Sequence, residues 1–373
     1  MNVALFFTYG VSLKQWLDSG LLEREIEIYK RISSDSNIKF TFITYGEEDD
    51  KYILNNLKNI QVFPLGSYFK SKNKFYYFVK SFLVPFKIKH KLKNIDLLKT
   101  NQLMGSWIPI ILKLLIKKPL IIRTGYDILE FSIKENKSLL KKLSYYLLTY
   151  FSLFFCDKYF VSSNSDLQNI KNRFKFINKS KLVLRQNWVN IEKPKKSFVN
   201  RSKNKILSIG RLEKQKNYIN LVQALKNSSL ELDIVGDGSL KEEILNKATE
   251  CNVNINFLGL FQHKDLLKLT ENYKYFILYS KYEGHPKSLI EAMSKGCIPF
   301  VLKNDNVEEI IEHKVNGIIL NSENDSIIEY IDYLINHEDE AIDISNNSLN
   351  LVKSKFSLEK SAAIEEQDYE ELV

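Results

Sequence analysis

The stretch YFILYSKYEGHPKSLIEAMSKGCIPF, residues 275–300, decides the fold of the C-terminal half of this chain. Residues 275–279 form an apolar, β-favouring run that predicts a buried strand, and a polar turn follows it. Pro286 suits the first position of a helix, because its fixed φ fits and its missing N–H is not needed there. Apolar residues with helical spacing occupy 289–293, Gly296 ends the helix, and a second strand follows.

This strand–turn–helix–strand unit places Glu283 in the turn and Glu291 eight residues later, on the helix. Backbone N–H groups of the turn and the positive end of the helix dipole converge on one spot, which favours an anion. The carboxylates can accept hydrogen bonds from sugar and ribose hydroxyls while the amides hold a diphosphate. The stretch therefore suits a sugar nucleotide; the alternative is an ordinary βα unit with a surface glutamate.

A second motif, ILSIGRLEKQKN at residues 206–217, opens a new run of alternating strands and helices. A predicted strand ends at Gly210, and Arg211 and Lys216 follow at the carboxyl edge of the sheet. Arginine can clamp phosphate oxygens with two hydrogen bonds, and lysine adds a point charge. The motif predicts a phosphate site; the alternative is a pair of exposed surface cations.

The two motifs together resemble the E-x7-E and G-R-L-x-x-x-K-G signatures of family 4 retaining glycosyltransferases, which have the GT-B fold. The resemblance implies that Arg211 and Lys216 bind the donor diphosphate and stabilise it as it leaves. It also implies that Glu283 positions the sugar hydroxyls and Glu291 the ribose. Asn217 stands where the family usually has glycine, and because asparagine tolerates the left-handed conformation, we expect the turn to survive.

Further donor-binding residues follow from the same resemblance. They are Gly10, Gly210, Gly236, Gly238, Gly284, His285, Ser288 and Leu289. The usual double glycine is missing at Gly10. His285 either touches the donor sugar or fills space that relatives fill with an aromatic or apolar residue.

Asp127 is a catalytic candidate beside Arg211, Lys216 and Glu283, again by resemblance. It ends the segment Arg123–Asp127, RTGYD, which follows a predicted strand where many relatives carry a His-Asp pair near the reacting carbon. Tyr126 replaces that histidine here. Whether Tyr126 or Asp127 takes the role is open, and a plain strand-to-loop turn is the alternative.

The chain has 373 residues, 44% of them apolar, which predicts two domains. Strands alternate with helices, which indicates doubly wound parallel sheets. We expect a GT-B fold: two Rossmann-like domains, 1–190 for the acceptor and 204–355 for the nucleotide-sugar donor, facing across a cleft. A charged linker joins them, and by resemblance the final segment, 356–373, is a helix that crosses back onto the first domain.

Charge is unevenly distributed between the halves. Residues 1–203 carry 36 Lys and Arg against 16 Asp and Glu, a balance of +20, whereas 204–373 carry 18 against 29, a balance of −11. A basic nucleic-acid-binding protein is one interpretation, but no nucleic-acid module is visible, so we expect no nucleic-acid partner. The other is an anionic membrane surface. Its expected contacts are the apolar segment Leu143–Phe155 after Lys141 and Lys142, and a basic aromatic cluster: Phe69, Lys70, Lys72, Lys74, Phe75, Tyr76, Tyr77, Phe78, Lys80, Phe82, Phe86, Lys87, Lys89, Lys91 and Lys93.

The sequence thus predicts transfer of a sugar from a UDP- or GDP-linked donor to a hydroxyl of a saccharide, in particular a lipid-linked saccharide or surface polysaccharide precursor. Alternatives with the same fold are a sugar-nucleotide epimerase and a phosphorylase. We expect no metal and no cofactor, because no D-x-D motif lies in a suitable loop. Three scattered cysteines and no signal peptide or membrane span indicate a cytoplasmic protein, peripheral on the membrane face.

Overall fold

The structure is a computed structural model that describes residues 1–68 and 74–373. It divides into two compact units, which we call the N-terminal unit (1–186 and 361–373) and the C-terminal unit (187–360). The division precedes the charged segment 190–204, in which a short 3-10 turn, Phe198–Asn200, leads into the first strand of the C-terminal unit. Three residues of the basic aromatic cluster, Phe69, Lys70 and Lys72, lie outside the described residues, as does the side chain of Lys74.

The N-terminal unit is built on a parallel sheet of seven strands in the order β3-β2-β1-β4-β5-β6-β7. Its strands are β1 (Asn2–Phe6), β2 (Lys39–Thr44), β3 (Ile60–Pro64), β4 (Leu97–Thr100), β5 (Leu120–Thr124), β6 (Lys158–Val161) and β7 (Leu182–Leu184). Its helices up to 186 are α1 (Leu13–Asp18), α2 (Leu22–Asp35), α3 (Asp50–Ile53), α4 (Lys74–Ser81), α5 (Val84–Ile88), α6 (Trp107–Ile116), α7 (Ile128–Lys134), α8 (Leu139–Phe155) and α9 (Asn164–Arg173).

Two predicted helices of the N-terminal unit are each divided in the structure. The helix expected over 13–32 breaks at Gly20, whose φ of +72° is left-handed, so that α1 and α2 are separate. The basic aromatic stretch, whose pattern predicts a helix kinked or broken at Pro85, is broken into α4 and α5, and Pro85 lies in the first turn of α5, where a proline is tolerated.

The C-terminal unit contains a parallel sheet of six strands in the order β10-β9-β8-β11-β12-β13. Its strands are β8 (Ser202–Ile209), β9 (Glu231–Val235), β10 (Asn254–Gly259), β11 (Tyr273–Leu278), β12 (Ile298–Leu302) and β13 (Ile318–Leu320). Its helices are α10 (Tyr218–Ala224), α11 (Lys241–Cys251), α12 (His263–Thr270), α13 (Lys287–Ser294), α14 (Asp305–Glu308), α15 (Ile327–Asn336) and α16 (Glu338–Lys355). The last helix, α17 (Leu358–Glu370), begins in this unit and belongs to the N-terminal unit from Ser361 onward.

Both sheets have helices on two sides, so their central strands are buried throughout. Every residue of β5, β11 and β12 is buried, Arg123 and Lys274 included, which explains why these strands are mainly apolar and do not alternate between apolar and polar residues. The prediction of two doubly wound, parallel-sheet domains is confirmed. No helix of the described residues has both the length and the apolarity that a membrane crossing requires.

The last helix completes the N-terminal unit through buried charges. From Ser361 onward α17 belongs to this unit, where Glu365 pairs with Lys99 of β4, and both side chains are at most 3% exposed. Tyr369 also donates a hydrogen bond to Glu365. Burial acts to raise the pKa of Glu365, but the Lys99 ammonium and the Arg123 guanidinium outweigh it and hold that pKa below its usual value.

Candidate functional site

The two sequence motifs meet at the carboxyl edge of the C-terminal sheet. Strands β8 and β11 are adjacent and parallel, with Ile206 opposite Tyr275 and Leu207 opposite Phe276. The turns that follow these strands therefore leave the sheet side by side. This is the edge at which open parallel sheets bind their ligands.

A buried ion pair connects the motifs. The Lys216 ammonium lies 2.6 Å from Glu283 Oε1, and the two side chains are 15% and 9% exposed. The sequence motifs predict that the lysine binds phosphate and that the carboxylate binds the sugar, and nothing in them indicates that the two side chains contact each other. Because an ammonium has three N–H groups, Lys216 can keep this contact and still donate to an anion.

The turn that carries Lys216 is anchored by asparagines. Asn217 has φ +58°, which confirms the prediction that asparagine supports the left-handed turn. Its side-chain amide donates to Glu323 over 2.8 Å, and that of Asn220 donates to the same carboxylate over 2.7 Å. The hydrogen bond from Asn220, together with that from Asn217, holds the pKa of Glu323 below its usual value, although burial acts against them. The carboxylate is thus a fixed, charged anchor for the lysine turn.

The glycines at this edge are required by close backbone approach. A Cβ at Gly236 would lie 2.0 Å from the Gly210 carbonyl oxygen, and the φ of Gly236 is +147°. A Cβ at Gly238 would lie within 3 Å of the Leu212 backbone. These contacts hold the loop after β9 against the loop after β8, beside the exposed side chain of Arg211.

The turn before α13 is anchored by Asn306, a residue that the sequence motifs do not include. The Asn306 amide of α14 donates to the backbone carbonyl of Glu283. Asn306 is only 7% exposed, and its Oδ1 has no hydrogen-bond partner within the described part of the chain. A buried carbonyl oxygen without a partner is costly, so this atom is suited to accept a hydrogen bond from a ligand.

Helix α13 begins one residue later than predicted. Pro286 is its N-cap rather than its first residue, and it makes no side-chain cap hydrogen bond. The positive end of the helix dipole therefore faces the turn without a capping carboxylate or hydroxyl from its N-cap residue. Ser288 is half-buried in the first turn, whereas the Leu289 side chain is fully buried in the core, so only the backbone of Leu289 can reach a ligand.

Glu291 lies in the second turn of α13 and is 3% exposed. Its Oε1 is 3.0 Å from His263 Nε2, at the first residue of α12. His263 is a second residue that sequence analysis missed, because only the packing of α12 on α13 brings it to the motif. The contact fixes the orientation of the carboxylate that the resemblance assigns to the ribose.

His285 and Gly284 are both buried. The His285 imidazole packs edge-on against Phe356, with ring centroids 5.0 Å apart, and Asn187 donates to its backbone carbonyl over 2.5 Å. Of the two roles left open for His285, this geometry favours filling space in the core. Gly284 can then contribute its backbone to the turn.

Two of the predicted site residues, Gly10 and Asp127, belong to the N-terminal unit. Gly10 is exposed with φ +78°, and no atom lies within 4 Å of the place a Cβ would take. Asp127 is the N-cap of α7: its Oδ1 accepts from the N–H groups of Leu129 and Glu130, and its Oδ2 pairs with Arg173 at 2.6 Å. Both oxygens are used, so the geometry favours a structural role for Asp127 over the predicted catalytic one.

Comparison with known proteins agrees with this fold. Residues 189–350 match the family model described as "Glycosyl transferases group 1". Among solved structures, Anabaena Alr3699/HepE in complex with UDP and glucose aligns over 100% of both chains with a TM-score of 0.77 at 16% identity. The chain therefore has the predicted GT-B fold.

Two relatives are similar in sequence over part of their length. The first is the GalNAc-alpha-(1->4)-GalNAc-alpha-(1->3)-diNAcBac-PP-undecaprenol alpha-1,4-N-acetyl-D-galactosaminyltransferase of Campylobacter jejuni, 26% identical over 63% of this chain and 64% of the relative. The second is the UDP-Gal:alpha-D-GlcNAc-diphosphoundecaprenol alpha-1,3-galactosyltransferase of Escherichia coli, 28% identical over 41% of each chain. The chain spans less than two thirds of the length of either relative.

Proposed function

We propose that this protein is a retaining glycosyltransferase of family 4 that transfers a sugar from a nucleoside-diphosphate donor to a hydroxyl of a lipid-linked saccharide. The observation that carries the proposal is the Lys216–Glu283 ion pair at 2.6 Å. It joins a phosphate-binding motif to a sugar-binding motif at one sheet edge. Neither motif alone would distinguish a donor site from an ordinary βα turn.

In the proposed reaction the bond between the anomeric carbon and the diphosphate breaks, and the acceptor oxygen bonds to the same face of that carbon. The acceptor proton passes to the departing phosphate oxygen. Negative charge grows on the diphosphate in the transition state. Arg211, Lys216 and the N-terminus of α13 would stabilise it there, each fixed cation contributing on the order of 3 kcal/mol.

Glu283 would orient two groups, the Lys216 ammonium and the donor sugar. It holds the Lys216 ammonium toward the leaving group, and its second oxygen would accept a hydrogen bond from a sugar hydroxyl. Asn306 would accept a further one through Oδ1, which has no partner within the described ranges. Glu291, oriented by His263, would accept from the ribose hydroxyls.

The choice of nucleotide and acceptor is proposed from the relatives. The printed names of both relatives specify undecaprenol-linked acceptors, and that of the Escherichia coli protein specifies a UDP-linked donor. We accordingly propose a uridine nucleotide and an acceptor saccharide carried on a lipid diphosphate. Peripheral attachment of the basic N-terminal unit to the cytoplasmic membrane face would bring the enzyme to such an acceptor.

A panel of UDP- and GDP-linked sugars, each with and without a polyprenyl-diphosphate saccharide, tests the proposal. We expect nucleoside diphosphate release from one donor to rise with acceptor, and the anomeric configuration in the product to match that of the donor by NMR. Conversion of a sugar nucleotide to its epimer without acceptor, or phosphate-dependent cleavage of a glycan, would overturn it. Inversion at the anomeric carbon would remove the retaining assignment.

A further inference from the structure

Helix α8 of the N-terminal unit presents a row of large apolar side chains to solvent. The row comprises Leu139, Leu140, Leu143, Leu147, Phe151 and Phe154. The two leucines that begin it are 83% and 80% exposed. Contiguous exposed apolar surface of this kind marks a contact site rather than ordinary scatter.

The helical geometry places these six residues on one side. At 100° per residue they fall within an arc of roughly 120°. The residues of α8 that are buried, Thr149, Ser152 and Leu153, lie on the opposite side, against the unit. One side of α8 therefore packs in the fold, and the other side is apolar and exposed.

Neighbouring helices also expose apolar side chains. Helix α6 packs on both α5 and α8, and α4 packs on α5. Each carries exposed apolar side chains, among them Phe75 of α4, Phe86 of α5 and Leu114 of α6. We call the exposed apolar side chains of α4, α5, α6 and α8 the apolar face.

Beside the apolar face, at the start of α8, lies an open groove of about 460 Å³. It is lined by Leu129 of α7 and, from α8, by Leu139, Leu140, Lys142, Leu143 and Tyr146. Apart from Lys142 the lining is aliphatic and aromatic, which suits a hydrocarbon chain.

The charges on the helices that carry the apolar face favour an anionic partner. Helices α4, α5, α6 and α8 contain no aspartate or glutamate, and their charged residues are all lysines. Lys87 and Lys141 are exposed. A second copy of this chain, docked through the same face, would bring lysines against lysines, because a twofold interface pairs a surface with itself. An anionic lipid surface complements both the charge and the apolarity.

We propose that the apolar face inserts into the surface of an anionic phospholipid bilayer, with α8 lying in the plane of the interface and the lysines among the headgroups. Helices of this type bury their apolar side about 5–10 Å into the boundary between headgroups and acyl chains. The inference deepens the proposed function, on which it rests for its purpose, because it assigns membrane contact to particular residues. It also revises the membrane contact predicted for Leu143–Phe155. Part of that segment lies in the core, and the contact includes Leu139 and Leu140, which precede the segment.

Sedimentation of the full chain with vesicles tests the docking. Vesicles of phosphatidylglycerol and phosphatidylcholine should pellet the protein at low salt, high salt should weaken the binding, and pure phosphatidylcholine should bind it far less. Leu143→Glu and Phe151→Glu should each reduce the partition coefficient on the order of tenfold or more. The matched control is Leu245→Glu on α11: Leu143 and Leu245 are 56% and 49% exposed, and the control should bind vesicles like the unchanged protein.

Circular dichroism checks that each variant folds, and calorimetric titration with the donor nucleotide checks the C-terminal unit separately. Unchanged vesicle binding by Leu143→Glu, or equal binding of the unchanged protein to both kinds of vesicle, would overturn the inference. So would sedimentation velocity showing a dimer that Leu143→Glu dissociates, together with no vesicle binding. If vesicles bind while no sugar nucleotide does, the docking stands and the proposed function fails.

Discussion

Replacing Lys216 with methionine separates its structural contribution from its proposed catalytic one. Methionine keeps most of the side-chain volume and removes the charge, which leaves the Glu283 carboxylate without the cation 2.6 Å away. Truncating one partner of a fully buried ion pair costs about 3–5 kcal/mol. Because Lys216 is 15% exposed at the sheet edge, water partly replaces it, and we expect a loss of about 2 kcal/mol in the free energy of unfolding.

The catalytic loss should be larger and independent. Without the ammonium the departing diphosphate loses about 3 kcal/mol of stabilisation, so single-turnover transfer should slow about 100-fold. Lys214→Met is the matched control, because Lys214 lies in the same 3-10 turn and is exposed. The double variant Lys216→Met/Glu283→Gln should recover stability, since the unpaired charge is gone, but it should not recover turnover.

Urea unfolding and rapid-quench transfer assays measure the two quantities. A Lys216→Met enzyme whose turnover lies within about twofold of Lys214→Met would refute the assignment of the leaving-group site. A double variant that regains activity together with stability would show that the lysine acts only through the fold.

Three further outcomes are expected. Glu365→Gln should destabilise the N-terminal unit by about 3 kcal/mol at neutral pH, because Lys99 stays buried without a counter-charge. Because the pKa of Glu365 is lower in the folded protein than in the unfolded chain, its ionised carboxylate stabilises the fold above the unfolded pKa of about 4.3, and this stabilisation is lost as the pH falls below that value. The free energy of unfolding, followed by circular dichroism, should therefore depend less on pH in that range in the variant than in the unchanged protein. Gly236→Ala should weaken donor binding, measured by calorimetry, on the order of tenfold or more, because its Cβ would meet the Gly210 carbonyl oxygen; unchanged affinity would show that this loop does not form the site. Asp127→Ala should lower the melting temperature through a lost helix cap of about 1 kcal/mol and a lost ion pair but leave turnover unchanged, and a large fall in turnover of the folded variant would support the predicted catalytic role of Asp127.

The sequence predicts those parts of the candidate site whose structure depends on local sequence pattern. The strand and helix around Glu283 and Glu291 follow from apolar runs and a proline. The strand begins two residues before its predicted start, and the helix begins one residue after its predicted start. The left-handed turn at Asn217 also follows from the chemistry of one residue.

Contacts between distant residues could not be predicted in this way. Nothing local indicates that Lys216 pairs with Glu283, or that His263 reaches Glu291, because adjacent strands and packed helices bring them together. Asn306 carries no motif at all. Asp127 illustrates the same limit, because its position after a strand is compatible both with the predicted catalytic role and with a helix cap.

The pairing of Lys99 with Glu365 has a consequence for how the protein is made. These residues are 266 positions apart, so β4 leaves the ribosome long before its counter-charge exists. At typical synthesis rates of 5–20 residues per second the delay is roughly 10–50 s. During that time the nascent N-terminal half lacks the Glu365 carboxylate, so burying the Lys99 ammonium costs more free energy than it does in the native protein. Folding that proceeds strictly in order of synthesis is therefore disfavoured, and the half-made chain would stay open to chaperones until the last helix is released.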